Sequence, residues 1–267
     1  MFPLLNEFIE ELMDLNQKKF AAFMVDLDGT LIGRDEKIAP RVAKTVRRLS
    51  EKIRVCIATG REPRDAIRFA RELGLTSPQV CDNGALILDP TTGNEVWSAP
   101  PLGERQAHYI VTTLISRKVP FWATHPGGTV TQASQITHWN FTRVSALDVV
   151  EDVAEELLAH FRLHPELHVV KVFLPYNGLW AIDFTTRGVT KATAAKWLGR
   201  ILGIDPANMI GAGDSYNDLP MLEVCGLRIA MGEAPDELKA LADYVAPSVD
   251  DDGLAVAIEE FVLPRLI

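Results

Sequence analysis

Phe20-Ala21-Ala22-Phe23-Met24-Val25-Asp26-Leu27-Asp28-Gly29-Thr30 is a short apolar run that ends abruptly in two carboxylates and a glycine. The run predicts a buried strand ending at Asp26. Side chains alternate along a strand, so Asp26 and Asp28 point the same way at its end while Leu27 points into the core. Two like charges that close cost energy unless a cation bridges them or one takes a proton. Gly29 lets the backbone turn tightly around a ligand. In α/β sheets the carboxyl ends of parallel strands are where ligands sit.

The flanking sequence repeats this strand-then-helix rhythm. Residues 40–52 read as a helix opened by Pro40, and Ile53-Arg54-Val55-Cys56-Ile57-Ala58 as a second buried strand. A helix with Pro63 in its first turn follows, then a strand at Gln79-Val80-Cys81-Asp82. Late in the chain the rhythm returns: a helix over 189–202, a strand at 208–213, a helix from Tyr216 closed by Gly226, and further short strands and helices to the end. Continuous apolar strands alternating with helices predict a Rossmann-like parallel sheet covered on both faces, an α/β core. Between about 87 and 183 the texture changes. Turn signals at Asp89-Pro90, Thr92-Gly93, Pro126-Gly127-Gly128 and Asn177-Gly178 interrupt shorter strands, with helices near 103–118 and 147–162. All six histidines and four of the five tryptophans fall in this segment. It is predicted to be an inserted α+β domain, 87–183, with the core formed by 1–86 and 184–267. Residues 4–15 carry apolar side chains at helical spacing, so 1–19 is expected to be an extra N-terminal helix.

The 267 residues, 47% of them hydrophobic, suffice for a sizeable core, and the formal charge of −9 disfavours nucleic acid and anionic membrane surfaces as partners. The three cysteines Cys56, Cys81 and Cys225 form no paired metal or redox motif and sit in apolar runs, which fits buried thiols in a reducing cytoplasm. The acidic start of the chain is unlike a secretory signal, and no apolar run approaches the ~20 residues of a membrane span. A monomer or homodimer acting on a small molecule is expected.

Three more constellations carry chemistry. Thr59-Gly60-Arg61 follows the second strand, where a hydroxyl and free N–H groups at a helix start suit a phosphate. Taken singly, this is a common turn. Lys191 opens a helix, a poor place for a cation in the helix dipole, so it gains from a nearby anion. Taken singly, it reads as a surface lysine. Gly211-Ala212-Gly213-Asp214-Ser215-Tyr216-Asn217-Asp218 ends a strand in a turn carrying two carboxylates and an amide, more than capping needs.

In this order, D-x-D-G-T, T-G, K and G-D-x-x-N-D, the four resemble the haloacid dehalogenase superfamily over nearly the whole chain. Asp82-Asn83-Gly84-Ala85, Gly188-Val189-Thr190-Lys191 and Ala230-Met231-Gly232 resemble its Cof-type phosphatases, which carry a large α+β cap after the second motif. Ala192 stands where members often have glycine. The resemblance implies a Mg²⁺-dependent phosphatase acting on small phosphomonoesters, expected to be sugar phosphates, through an aspartyl-phosphate on Asp26. Asp26 would be nucleophile and metal ligand. Asp28 would be general acid and then base, lending its backbone carbonyl to the metal. Asp214 would be a further metal ligand and Asp218 would support the metal shell. Leu27, Thr59, Gly60, Lys191 and Asn217 would hold the phosphoryl oxygens, with Arg61 and Asn83 as candidate substrate contacts. The cap supplies His125, His138, Trp139, Arg143 and Tyr176 as candidates for hydroxyl and ring contacts. A phosphomutase or phosphotransferase of the same superfamily is the nearest rival. Its cap usually lies between the first two motifs, whereas Asp26 and Thr59 are only 33 positions apart. A non-catalytic phospho-metabolite-binding protein would be expected to lack one of the motif acids, and none is missing.

Overall fold

A computed structural model describes residues 20–125, 128–174 and 176–266, and the helix expected over 4–15 lies outside them. The central sheet is parallel and has the order β13-β12-β11-β1-β2, with β1 Ala22–Val25, β2 Arg54–Ile57, β11 Met209–Gly213, β12 Leu227–Ala230 and β13 Tyr244–Val245. Strand alternation decides which helices pack where. Phe23 and Val25 point to one face, where they meet α1 (Pro40–Ser50), α2 (Pro63–Leu73) and α8 (Gly253–Ala257) through Val46, Phe69 and Leu254. Ala22 and Met24 point to the other, against α5 (Lys191–Leu202), α6 (Leu219–Val224) and α7 (Asp236–Leu241) through Leu198, Leu222 and Leu238. Both faces are therefore covered, as the apolar runs require.

Strand β3 (Gln79–Cys81) touches this sheet through one parallel bridge, Ala58 to Val80, and then turns back antiparallel into β4 (Leu86–Leu88) and β5 (Glu95–Ser98). This places residues 86–98 beside the core and not in the inserted unit, although the expected boundary was 87. Ile87 is buried in the same apolar cluster as Met24 and Leu198, and Trp97 stacks on Trp197 with ring centroids 5.2 Å apart. The turn signals around Pro90 and Gly93 close a hairpin of the core.

A second apolar cluster begins at Leu102 and ends at Phe184. It lies under a five-stranded sheet of order β7-β6-β8-β10-β9: β6 Phe121–His125, β7 Gly128–Val130, β8 Arg143–Val149, β9 Leu167–Leu174 and β10 Leu179–Thr186. Helices α3 (Glu104–Ser116) and α4 (Glu151–Phe161) cover one face, packing Ile110, Leu114, Leu157 and Phe161 on Phe121, Val144 and Ile182. The alternate residues of the strands face away from these helices.

The expected glycine cap of α6 is not one. The helix ends at Val224, and Gly226 is absent from the positive-φ glycines. Gly226 is required for space: a Cβ there would lie 1.8 Å from the Ala207 carbonyl oxygen.

Candidate active site

The carboxyl ends of β1 and β11 meet because the two strands pair in register, Val25 opposite Ala212. The residues just beyond, Asp26 and Asp214, are thereby brought side by side. Gly29, at φ 77°, makes the approach feasible, since a Cβ there would lie 2.4 Å from the Asp214 Oδ2. Thr30 donates its hydroxyl to Asp214 Oδ1 at 3.1 Å. The carbonyl of Leu27 accepts the Leu31 and Ile32 N–H groups and closes the turn, while the Leu27 side chain is buried in the core.

Lys191 is 1% exposed, far from the surface lysine that its position alone suggests. Its Nζ donates to Asp26 Oδ1 at 2.5 Å and to Asp218 Oδ1 at 2.6 Å. Burial pulls its pKa down, but the charges of Asp218 and Asp26 outweigh that and hold the amine above its ordinary value. The other Asp218 oxygen accepts the backbone N–H groups of Asp214 and Ser215, both at 3.1 Å. Both oxygens of Asp218 are thus engaged, one by Lys191 and the other by the turn that presents Asp214.

One cation stands against three acids here. Burial, with the Asp218 charge, pushes the Asp26 carboxyl up to about 7 despite Lys191. Burial and the neighbouring Asp26 and Asp218 push Asp214 well above the usual carboxylate range. One carboxylate oxygen from each of Asp26, Asp214 and Asp218 lies within 4.8 Å of the others. A cluster of hard oxygen donors that lacks positive charge suits a small divalent cation such as Mg²⁺. With Asp218 already engaged, Asp26 and Asp214 have the free oxygens. Asp28 lies outside this cluster. Its two oxygens accept the Arg61 Nε (2.9 Å) and Nη2 (2.6 Å), and Arg61 also reaches Glu36 and Asp65.

Thr59 is buried, and its hydroxyl oxygen accepts the Arg61 N–H at 3.0 Å, which shapes the turn around Gly60. Asn217 donates its amide to Asn83 Oδ1 at 3.0 Å, and Asn83 donates in turn to Asp183 on β10. Asp183 also accepts from Ser145 and from Arg143, and Arg143 pairs with Asp82 at 3.0 Å. This buried chain joins the end of the core sheet to the inserted sheet. Asp82 and Asn83 hold it with left-handed backbones, φ 51° and 54°. Burial pushes the Asp82 carboxyl up to about 6, with Arg143 opposing.

A cavity of about 340 Å³ lies between the two units, floored by Asp26, Asp28, Gly60 and Asp214. Of the five cap candidates, Arg143 and Tyr176 line it. His125, His138 and Trp139 do not; they pack around Phe141, with the rings of His125 and His138 4.6 Å apart. Trp122, Ser145 and Asp183, which the sequence reading missed, do line the cavity. They are cross-strand neighbours on the helix-free face of β6, β8 and β10. The alternation Phe121-Trp122-Ala123, buried-exposed-buried, was the available signal.

A sequence model described as haloacid dehalogenase-like hydrolase matches residues 23–161 and 136–258. A 5-amino-6-(5-phospho-D-ribitylamino)uracil phosphatase of Bacillus subtilis is 29% identical over 253 residues, covering 90% of this chain and 94% of that one. Among solved structures, a haloacid dehalogenase-like hydrolase from B. subtilis superposes with a TM-score of 0.77 at 20% identity, over 90% of this chain and 99% of its own. A HAD subclass IIB sugar phosphatase does so at 0.75 and 21% identity, over 91% and 99%. Among the described residues no helix is long and apolar enough to cross a membrane.

Proposed function

Since the chain belongs to the haloacid dehalogenase-like hydrolase family and is a phosphatase, we propose that it hydrolyses small phosphomonoesters, sugar phosphates among them, with Mg²⁺ and through an aspartyl-phosphate on Asp26. The observation that carries this is the buried Asp26, fixed by Lys191 at 2.5 Å beside Asp214 on the floor of an inter-domain cavity.

In this reading a carboxylate oxygen of Asp26 attacks phosphorus as the ester P–O bond breaks, and Asp28 gives its proton to the leaving oxygen. Water then attacks the phosphorus, Asp28 takes a proton from it, and the acyl–phosphate P–O bond breaks to release inorganic phosphate and Asp26. Asp26, Asp214 and the Asp28 backbone carbonyl would hold Mg²⁺, with Asp218 as support. Held there, the ion would supply positive charge against the phosphoryl oxygens. Lys191 adds more from the opposite carboxylate oxygen. The turns at Leu27 and at Thr59-Gly60 offer N–H groups to the same oxygens, and Asn217 has its second amide hydrogen for them. Arg61 orients Asp28 and competes with the leaving oxygen for it. Asn83 acts by holding Asn217, which differs from the substrate contact expected of it.

The inserted cap is best divided from the core at about 102–186, the limits of its own apolar cluster and last strand. The relative's printed substrate, a phosphorylated ribitylaminouracil, is a small polar monoester and supports the substrate class. Cys56, Cys81 and Cys225 are all buried free thiols, which fits the cytoplasm. Phosphate release from p-nitrophenyl phosphate, with Mg²⁺ and after EDTA treatment, tests the reading. Activity untouched by EDTA would refute the metal, and a rate equal to the uncatalysed one would refute the phosphatase.

A further inference from the structure

The cavity wall bears on what the phosphate is attached to, given the phosphatase reading above. Away from Asp26 and Asp214, the carboxylates of Glu36, Glu62, Asp65 and Asp148 border this space. Two cations line it among the described residues, Arg61 and Arg143. Each already faces two or more carboxylates of the protein itself. Arg61 is shared by Asp28, Glu36 and Asp65. Arg143 lies between Asp82 and Asp183. Lys191, and a cation held by Asp26 and Asp214, would answer charge only at the reacting end.

The remaining wall is apolar and comes from the cap. Trp122, Phe173 and Tyr176 line the cavity and keep 40%, 42% and 46% of their surface exposed, although large apolar side chains are usually covered. Trp122 lies on the strand face turned away from α3 and α4, beside Ser145. Exposed rings beside the carboxylates of Glu62, whose Oε2 accepts the Thr129 hydroxyl, and Asp148, whose Oδ1 accepts the Asn177 amide, suit a group with a flat or apolar face and an edge of hydrogen-bond donors.

We propose that the alcohol half of the substrate carries no second anionic group, offers hydroxyl or N–H donors to the carboxylates, and lays a flat or apolar face on Trp122, Phe173 and Tyr176. A second phosphate or a carboxylate would face the Glu62 and Asp148 carboxylates while both lining arginines are already engaged by the protein's own acids, and is rejected.

The test is kcat/KM of the full chain with Mg²⁺ on four esters. Flavin mononucleotide and ribose 5-phosphate have neutral alcohol halves, the first with a flat ring; phosphoglycolate and fructose 1,6-bisphosphate carry a second anion. The expected order places flavin mononucleotide first and the two doubly anionic esters at least about tenfold behind, the scale of one lost favourable contact. Trp122→Ala should lower the flavin value about tenfold and ribose 5-phosphate less than threefold. The double variant Glu62→Gln, Asp148→Asn should narrow the gap to phosphoglycolate. A doubly anionic ester equal to or better than flavin mononucleotide overturns the inference. If that preference vanishes in Arg34→Ala, the second anion occupies the neighbouring cavity that Arg34 lines, which overturns it equally. Wild-type activity on p-nitrophenyl phosphate separates failure of this inference from failure of the phosphatase reading, because loss on every ester, that one included, removes both.

Discussion

Two buried clusters in this molecule have the same composition, one cation between two aspartates, and differ in what they leave unsatisfied. Lys191 lies between Asp26 and Asp218, and Arg143 lies between Asp82 and Asp183. The first has a third acid, Asp214, crowded against it, and two of its carboxyls are pushed upward. It is short of positive charge and opens onto the cavity, so it can accept a cation and a phosphoryl group. The second is tied off on both sides by Ser145, Asn83 and the Arg143 fork. It joins two domains, and both oxygens of its Asp183 already accept hydrogen bonds from the protein. Similar charge inventories therefore serve reaction in one place and cohesion in the other, and what separates them is the charge left over.

Substitutions should separate the two clusters. Asp26→Asn removes the nucleophile and should lower kcat by about four powers of ten or more. The melting temperature should hold or rise, because a carboxyl pushed up to about 7 by burial is replaced by a neutral amide. A folded variant keeping a tenth of the rate would break the assignment. Asp214→Ala should cost about two to three powers of ten and shift the Mg²⁺ activation curve to higher concentration, measured by titrating Mg²⁺ into chelated protein.

At the junction the sign of the contrast reverses. Arg143→Met strands two buried carboxyls and should cost about 3–5 kcal/mol of stability in chemical denaturation. Loss of rate without loss of stability would show that Arg143 belongs to the chemistry. Asn83→Ala frees the Asn217 amide from one partner. It should slow kcat about fivefold, the equivalent of about 1 kcal/mol for one hydrogen bond, with KM for p-nitrophenyl phosphate unchanged. Asp205→Ala is the smallest. Its carboxylate accepts the Ala207 N–H at 2.9 Å, capping the turn before β11. About 1 kcal/mol of stability should go, with no change in rate.

The first cluster was legible in the sequence and the second was not, for a physical reason. In the first, Asp26 and Asp214 announce themselves locally, as carboxylates that stop apolar runs. The burial of Lys191 needed all four motifs read together, since its partners lie 165 and 27 positions away. Asp82, Arg143 and Asp183 meet only through the register of β8 on β10 and the fold-back of β3, neither of which has a local signature. The Asn83-Gly84 turn was visible, but its bond to Asp183 across 100 positions was not. The early boundary at 87 failed similarly. Trp97 looked like part of the tryptophan-rich insert, and its strand pairing through β4 to β3 and its stacking on Trp197 assign it to the core.

That stacked pair has an optical consequence. Trp97 and Trp197 sit against each other beside the core sheet, outside both cavities, while Trp122 lines one cavity and Trp180 the other with the Lys171 amine 3.9 Å from its ring centroid. The protein's near-ultraviolet emission therefore contains a component that ligands do not touch and a component placed where ligands bind. A flat ring settling on Trp122 should quench only the second, so the fraction of emission left at saturation reads occupancy of the cavity against an internal reference, without a label and without turnover.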